Sequence, residues 1–319
     1  MHRFDLEHAE RAEALAVEVG DDLLLAFTRS VRAVGLWWSG DTDASLRSSR
    51  DAAERFASAG RRLEWSEAWK FHGVALVASG DANRGVAVQR EALDAARSVV
   101  GPAFPTAHGL AYLGHTHRML GDDDAALACW AEALDICRRI GNRGTAIHIA
   151  IGLADLFAER GTVDRALEHL GIALELIDAS RAETYITWAW TVTVRAHATT
   201  GDTTEAIASA RRALAAAHRV PPGEGRRLAI ELADLALGLD DASTAARLLG
   251  VVDATPDVRE MPFPPHSEAA RVDALGRAVA ARGGEDQRAA GRRRSLAEAA
   301  GALLVERAPR RDDDVTRRT

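Results

Sequence analysis

The side chains able to do chemistry in this 319-residue chain are few, and their spacing says much about them. Three consecutive carboxylates, Asp122 to Asp124, offer hard oxygen ligands for a cation, and His115 and His117 stand close by. Residues two apart on a helix point to different faces, however, and no further Cys or His stands at the short spacings zinc sites use. No metal is expected. The only lysine, Lys70, is followed by Phe71, whereas a phosphate-cradling Walker loop needs Gly-Lys-Ser/Thr. No Gly-x-Ser-x-Gly elbow presents a nucleophilic serine. Cys129 and Cys137, eight residues apart on one helix, are separated by roughly 12 Å along its axis, too far for a disulfide. They read as small buried or half-buried thiols of a reducing cytoplasm. With no catalytic constellation in view, the expectation is a protein that is not an enzyme and uses no cofactor.

The balance of charge narrows the partners. A net charge of -7 argues against direct contact with nucleic acid, because sequence-independent affinity rests on Lys and Arg neutralising phosphates. Arg211-Arg212, Arg226-Arg227 and Arg292 to Arg294 sit among acids and read as solvated helix faces. The opening "MHRFDLEHAERAEALAVEVG" is amphipathic and carries acids, unlike a signal peptide or anchor. No apolar run approaches the ~18 residues of a membrane span. A cytoplasmic location without membrane contact is the expectation.

What must position these residues is a repeat. Helical periodicity runs through nearly the whole chain and strand-like alternation is essentially absent. "WWSGDTDASL", "LVASGDANRG", "RMLGDDDAAL", "AERGTVDRAL" and "ATTGDTTEAI" place glycines at Gly40, Gly80, Gly121, Gly161 and Gly201, at spacings of 40, 41, 40 and 40. A sixth copy follows 39 residues later with Asp240 in the glycine's place. Glycine accepts the positive φ that ends a helix where the chain must reverse, and the acidic or Thr residues after it cap the next helix. Asp122 to Asp124 are therefore read as a helix start. Small residues recur five and twelve positions after the turn, at Ala126 and Ala133, Ala166 and Ala173, Ala206 and Ala213, and at Gly85 and Ala92. Such a stripe lets two antiparallel helices approach closely, with a larger residue such as Trp130 or Leu170 filling the hole between. Six helix pairs are expected over 23-250, after a partial repeat, a lone helix, at 1-22, so that the chain begins inside a repeat.

Leu113-Gly114, Gly121, Ala126, Trp130 and Ala133-Leu134 resemble the tetratricopeptide pattern of Leu-Gly, turn Gly, Ala, aromatic and Ala-Leu; the copies at Gly161 and Gly201 match it too. A repeat of 40 instead of roughly 34 residues is similar to the longer variety in the maltose-activator-like sensor regions of bacterial regulators. The resemblance implies an all-α, right-handed superhelical solenoid. The segments "AARLLG" (245-250), "PFPP" (262-265) and "GRRRSLAEAA" (291-300) resemble the C-terminal end of LuxR-type and bacterial-transcriptional-activator-domain ATPase regulators. They imply a helical cap over 251-307, whose last helix starts at a Ser295/Glu298 capping box. A polar tail at 308-319 is expected to be disordered. "GGEDQRAAG" (283-291) is shorter than its counterpart in that family and lacks its aromatic residues. Neither an ATPase core nor a DNA-binding helix-turn-helix is recognised, so those activities do not carry over.

The resemblance further implies that the first helix of each pair lines a concave, ligand-holding face. Counting back from each turn places Trp37, Trp38, Glu67, Lys70, His108, His115, Arg118, His148, Asp155, Glu159, Trp188, Arg195, Arg227 and Asp234 there. His115, Asp155, Arg195 and Asp234 share one register in four successive repeats. They form either a structural ladder of alternating charge or a polar floor for a ligand. The Trp pairs (Trp37-Trp38, Trp65 and Trp69, Trp188 and Trp190) read as core packing before a ligand box. The function expected is the binding of a protein, peptide or small effector as the sensor part of a signalling or transcriptional regulator. A free-standing scaffold or peptide-pheromone receptor is the alternative, and the oligomeric state stays open.

Overall fold

The turns decide the architecture. Gly121 has φ +82° and Gly80, Gly161 and Gly201 are also in the left-handed region, each closing one helix two or three residues before the next begins. Asp122 then accepts the N–H of Ala125 at 3.2 Å, and Asp41, Asp202 and Asp241 accept the equivalent N–H of Ala44, Glu205 and Thr244. Asp123 is engaged by Arg160 at 3.0 Å. The acidic triplet is thus a helix start with an ion pair attached. A second series of left-handed turns closes the other end of the pairs at Gly20, Gly60, Gly101 and Gly141, and then at Arg181, again at spacings of 40 or 41. Sequence reasoning used only the first series.

In this computed structural model residues 6-38, 41-182, 185-217, 222-255 and 267-304 are described. Gly40, the "PFPP" segment and the 308-319 tail lie outside them, as does the side chain of Trp38. The described residues form helices and no strand. A single helix, α1 (Leu6–Val19), precedes the pairs α2 (Asp22–Trp38) and α3 (Thr42–Ser58), α4 (Arg62–Ala78) and α5 (Ala82–Val100), and α6 (Phe104–Met119) and α7 (Asp123–Ile140). Then come α8 (Arg143–Glu159) and α9 (Val163–Ser180), α10 (Ile186–Thr200) and α11 (Thr203–Ala217), and α12 (Pro222–Gly238) and α13 (Ala242–Ala254). Helices α14 (Glu268–Ala280), α15 (Glu285–Gly291) and α16 (Leu296–Leu304) follow. From α1 to α14 each helix packs on the next, α15 and α16 pack on α13, and α2, α4, α6, α8, α10 and α12 also touch one another in succession, with α14 continuing the row. The chain is an all-α helical-repeat solenoid with one layer of first helices and one of second helices. No described helix is long and apolar enough to cross a membrane.

The small-residue stripe is what brings the layers together. Ala126, Ala133, Ala166, Ala173, Ala206 and Ala213 are completely buried. Trp130, also completely buried, fills the hole between its own first helix and the next. A Cβ on Gly114 would lie 2.5 Å from its Nε1, and one on Gly152 would lie 2.8 Å from His115 Cε1 and 3.1 Å from the Trp130 ring. The indole N–H donates to the Ala111 carbonyl at 3.3 Å. In the C-terminal part, α13 crosses α15 where Gly250 faces Arg288 and Gly291 faces Arg247, leaving no room for a Cβ on either glycine. The Ser295/Glu298 box caps α16, with Ser295 N–H donating to Glu298 Oε2 at 2.8 Å and Glu298 N–H to Ser295 Oγ at 3.3 Å.

Asp240 holds φ +59° at the sixth turn. A non-glycine residue there costs about 1 kcal/mol, a little less for Asp because its short side chain tolerates the left-handed region. Asp240→Gly is expected to raise stability to urea by about 0.5 kcal/mol and Gly121→Ala to lower it by about 1 kcal/mol. Equilibrium denaturation of the three chains checks the pair, and a loss on Asp240→Gly would assign Asp240 a contact beyond the turn.

Candidate functional site

Three positions on each first helix, thirteen, nine and six residues before the turn, lie on one face because they are four and three apart. The first column reads Phe27, Glu67, His108, His148, Trp188, Arg227 and the second Val31, Phe71, Tyr112, Gly152, Val192, Glu231. The third reads Val34, Val74, His115, Asp155, Arg195, Asp234. Along the solenoid this face changes from apolar through aromatic to ionic.

In its aromatic middle, rings touch in an unbroken chain. Phe71 meets Tyr112 at 5.2 Å, Phe104 stacks on His108 at 5.1 Å, and Tyr112 meets His148 at 5.9 Å. His148 in turn meets His115 at 4.2 Å, Trp188 at 5.3 Å and Tyr185 at 6.1 Å. At its edge the Lys70 ammonium, only 2% exposed, donates to Glu67 Oε2 at 2.6 Å and to the Nδ1 of a neutral His108 at 2.8 Å, and lies 4.7 Å from the Phe71 ring. Burial alone would raise the Glu67 carboxyl, but the Lys70 ammonium beside it outweighs burial and holds it down to about 2. Burial pushes the Lys70 ammonium below its ordinary value, and the adjacent Glu67 carboxylate opposes that shift.

The ionic end is a closed network. Arg195 donates to Asp155 at 2.7 Å and to Glu231 at 3.0 Å, and Arg227 donates to the other Asp155 oxygen. Arg271, on α14, grips both Glu231 oxygens at 2.9 and 3.0 Å and reaches Asp234 at 2.8 Å. Arg118 pairs with Glu159. Burial pushes Asp155 and Glu231 toward the protonated form, yet the guanidiniums outweigh it and hold both below the usual carboxylate range.

The expected groove residues are therefore brought together, but not as an open ladder. His115 on α6 reaches Trp188 on α10 at 6.1 Å, and Arg227 on α12 bonds Asp155 on α8. Both contacts span two helix pairs, so the face closes on itself and His115, Arg118, Asp155, Arg195 and Arg227 are buried. His115 packs among the rings of Trp130, His148 and Trp188. Asp234 does not meet Arg195; Glu231, one turn earlier on α12, does, and Asp234 stays half exposed beside Arg271. Trp37 is buried against Val74 and Tyr112. Trp65 and Trp69 stack at 5.9 Å and Trp69 donates to Glu91 of α5, while Trp190 lies beneath Arg212 of α11. Glu231 was legible as the one carboxylate in a column of apolar residues; Arg271 lies outside the repeat and carried no such signal.

What remains open is the N-terminal end. Leu24, Phe27 and Val31 of α2 are 42%, 41% and 51% exposed, and Phe104 is 46% exposed.

No protein-family model and no curated protein matches the chain. Among solved structures it is similar to BtubC (BKLC) from P. vanneervenii, with a TM-score of 0.50 and 19% identity, over 77% of this chain and 91% of that one. At that identity the likeness is one of fold.

Two outcomes follow. Arg195→Ala leaves Asp155 and Glu231 short of a buried counter-charge and is expected to cost about 3–5 kcal/mol in urea denaturation; a cost under 1 kcal/mol would mean water reaches the network. Burial keeps His115 and His148 neutral, His148 down to about 3, against an ordinary value of 6.5. A base depressed in the fold leaves stability intact above 6.5 and removes it as pH falls from 6.5 toward 3, by up to about 1.4 kcal/mol per unit for each ring. The urea midpoint should fall between about pH 7 and pH 5, before the ion-paired carboxylates titrate, and fall less steeply in His148→Phe.

Proposed function

We propose that the chain is a non-catalytic interaction module that holds a protein, peptide or small effector against its first-helix layer, and that contact is made at the N-terminal end of that layer. The reading rests on one observation: the face that is filled by rings and charges over α6 to α12 continues onto α2 as an exposed stripe of Leu24, Phe27 and Val31. Residues three and four apart on one helix face are the pattern that accepts an amphipathic helix or an extended apolar segment. Phe104, two pairs further along and stacked on the His108 ring, is a second exposed apolar side chain, and the partly exposed Glu67 and His108 beside it carry polar atoms.

The resemblance of the C-terminal segments to ATPase-type regulators supports placing the module as a sensor array. A ligand that prefers one curvature of the solenoid shifts the population toward it, only as far as its affinities for the two states differ. Val31→Glu combined with Phe104→Glu is expected to leave the melting temperature within about 2 °C, since both side chains are about half in water, and to abolish partner capture from native lysate. Unchanged capture by that variant would move the binding surface elsewhere.

A further inference from the structure

Where α4 meets α6, at the margin of the buried ring cluster, two bases address one carboxylate. Lys70 Nζ lies 2.6 Å from Glu67 Oε2 and 2.8 Å from His108 Nδ1, and the same Glu67 oxygen is 3.5 Å from that Nδ1. A contact of 2.8 Å between two nitrogens is a hydrogen bond only while one of them keeps a free lone pair. The triangle therefore has room for one cation. A proton added to the imidazole sets two positive charges against each other at that distance.

The surroundings decide which base gives way. The other titratable groups around His108 are His148 from α8, Tyr112 on α6 itself and, beyond His148, Tyr185 before α10. Helices α5 and α7 meet α6 through Leu93 at Gly109 and Trp130 at Gly114. His148, down to about 3, stays neutral over the range in which His108 titrates, and Glu67, down to about 2, stays charged. The His108 ring is seated, stacked on Phe104 at 5.1 Å and edge-on to Tyr112 at 4.9 Å, and a cation over a ring face is favoured. Lys70 has instead a flexible four-carbon stem. Its neighbours Glu67 and His108 keep 30% and 23% of their side chains exposed, so solvent is close.

We propose that Glu67, Lys70 and His108 form a proton-driven latch: protonated His108 takes over Glu67, and Lys70 leaves its buried seat beside Phe71 and Tyr112 for solvent. Burial and the Lys70 charge hold the His108 base below its ordinary 6.5, so the closed arrangement is complete above that value and is lost as pH falls through the lower one. One proton drives the exchange, and the ratio of open to closed changes by up to about tenfold per pH unit. Phe104, lying on the ring that gains the charge, brings the change to the exposed surface. The latch belongs to α4 and α6 and stands whether or not the α2 stripe holds a partner.

Lys70 is the only lysine, so the full chain grown with lysine carrying carbon-13 at Cε gives a single lysine side-chain signal in nuclear magnetic resonance. At about pH 7.5 the Phe71 and Tyr112 rings should displace that signal from the position of a solvated lysine. Between about pH 6.5 and about pH 4.5 it should move to the solvated position, with helical circular dichroism unchanged. In His108→Asn the amide oxygen can still accept from Lys70 but does not titrate, and the signal should stay displaced throughout; His108→Gln gives the same comparison where the Asn variant does not fold. A wild-type signal that is already solvated at about pH 7.5, that does not move above about pH 4.5, or that moves alike in the His108 variants overturns the proposal. Movement that comes only with loss of helical circular dichroism overturns it too.

Discussion

Asp155 sits at the end of α8 with one oxygen on Arg195 of α10 and the other on Arg227 of α12, so a single buried carboxylate ties three successive first helices together. Such a group cannot tolerate a partial set of partners, because an uncompensated buried charge costs several kcal/mol. The curvature of the solenoid between α8 and α12 is consequently set by where two guanidiniums can reach one carboxylate. The same requirement brings His115 within reach of Trp188 two pairs away and converts what repeat geometry would leave as an open face into an interior. Burial of Arg118, Glu231 and the imidazoles follows from that closure.

Charge also supplies what the small residues cannot. Helices whose contact stripes are alanine pack closely, but an alanine stripe distinguishes poorly between one register and the next, since each residue offers the same shape. Trp130, wedged between Gly114 and Gly152, fixes register within the middle pairs by volume. From α8 onward the fork of Arg195 between Asp155 and Glu231 does so by directional hydrogen bonds. Replacing the whole network with apolar residues of similar size need not weaken the fold, whereas removing one member must. The network is better understood as a specifier of geometry than as a source of stability.

Much of this was legible in the sequence because it recurs. Glycines 40 residues apart, acids after them and alanines five and twelve positions on each report a local requirement, and local requirements repeat. The candidate face was legible for the same reason: Glu67, His108, His148, Trp188 and Arg227 occupy one column and lie where the register puts them. What register could not convey is contact between non-adjacent repeats. Asp155 meeting Arg227, and Glu231 instead of Asp234 meeting Arg195, depend on the accumulated curvature of several pairs, which no single copy encodes. Arg271 was beyond reach for another reason. It belongs to α14, outside the period, yet it completes the charge balance at Glu231.

The distribution of polarity along the layer constrains how a ligand could act. At the C-terminal end each first helix is held by buried ion pairs to its neighbours, and changing curvature there would mean separating charges in a poorly solvated interior. At the N-terminal end α2 and α4 share no such pairs among the described residues; their inner faces carry Phe27, Val31, Phe71 and Val74, whose contacts are non-directional and can slide at small cost. Curvature is therefore soft where the apolar stripe is exposed and stiff where the charges are buried. Under the function proposed above, a ligand held on α2 would bias the first pairs without breaking the network. The two ends of one array thus differ physically, because the hydrophobic contacts of the open end and the ion pairs of the closed end resist displacement so differently.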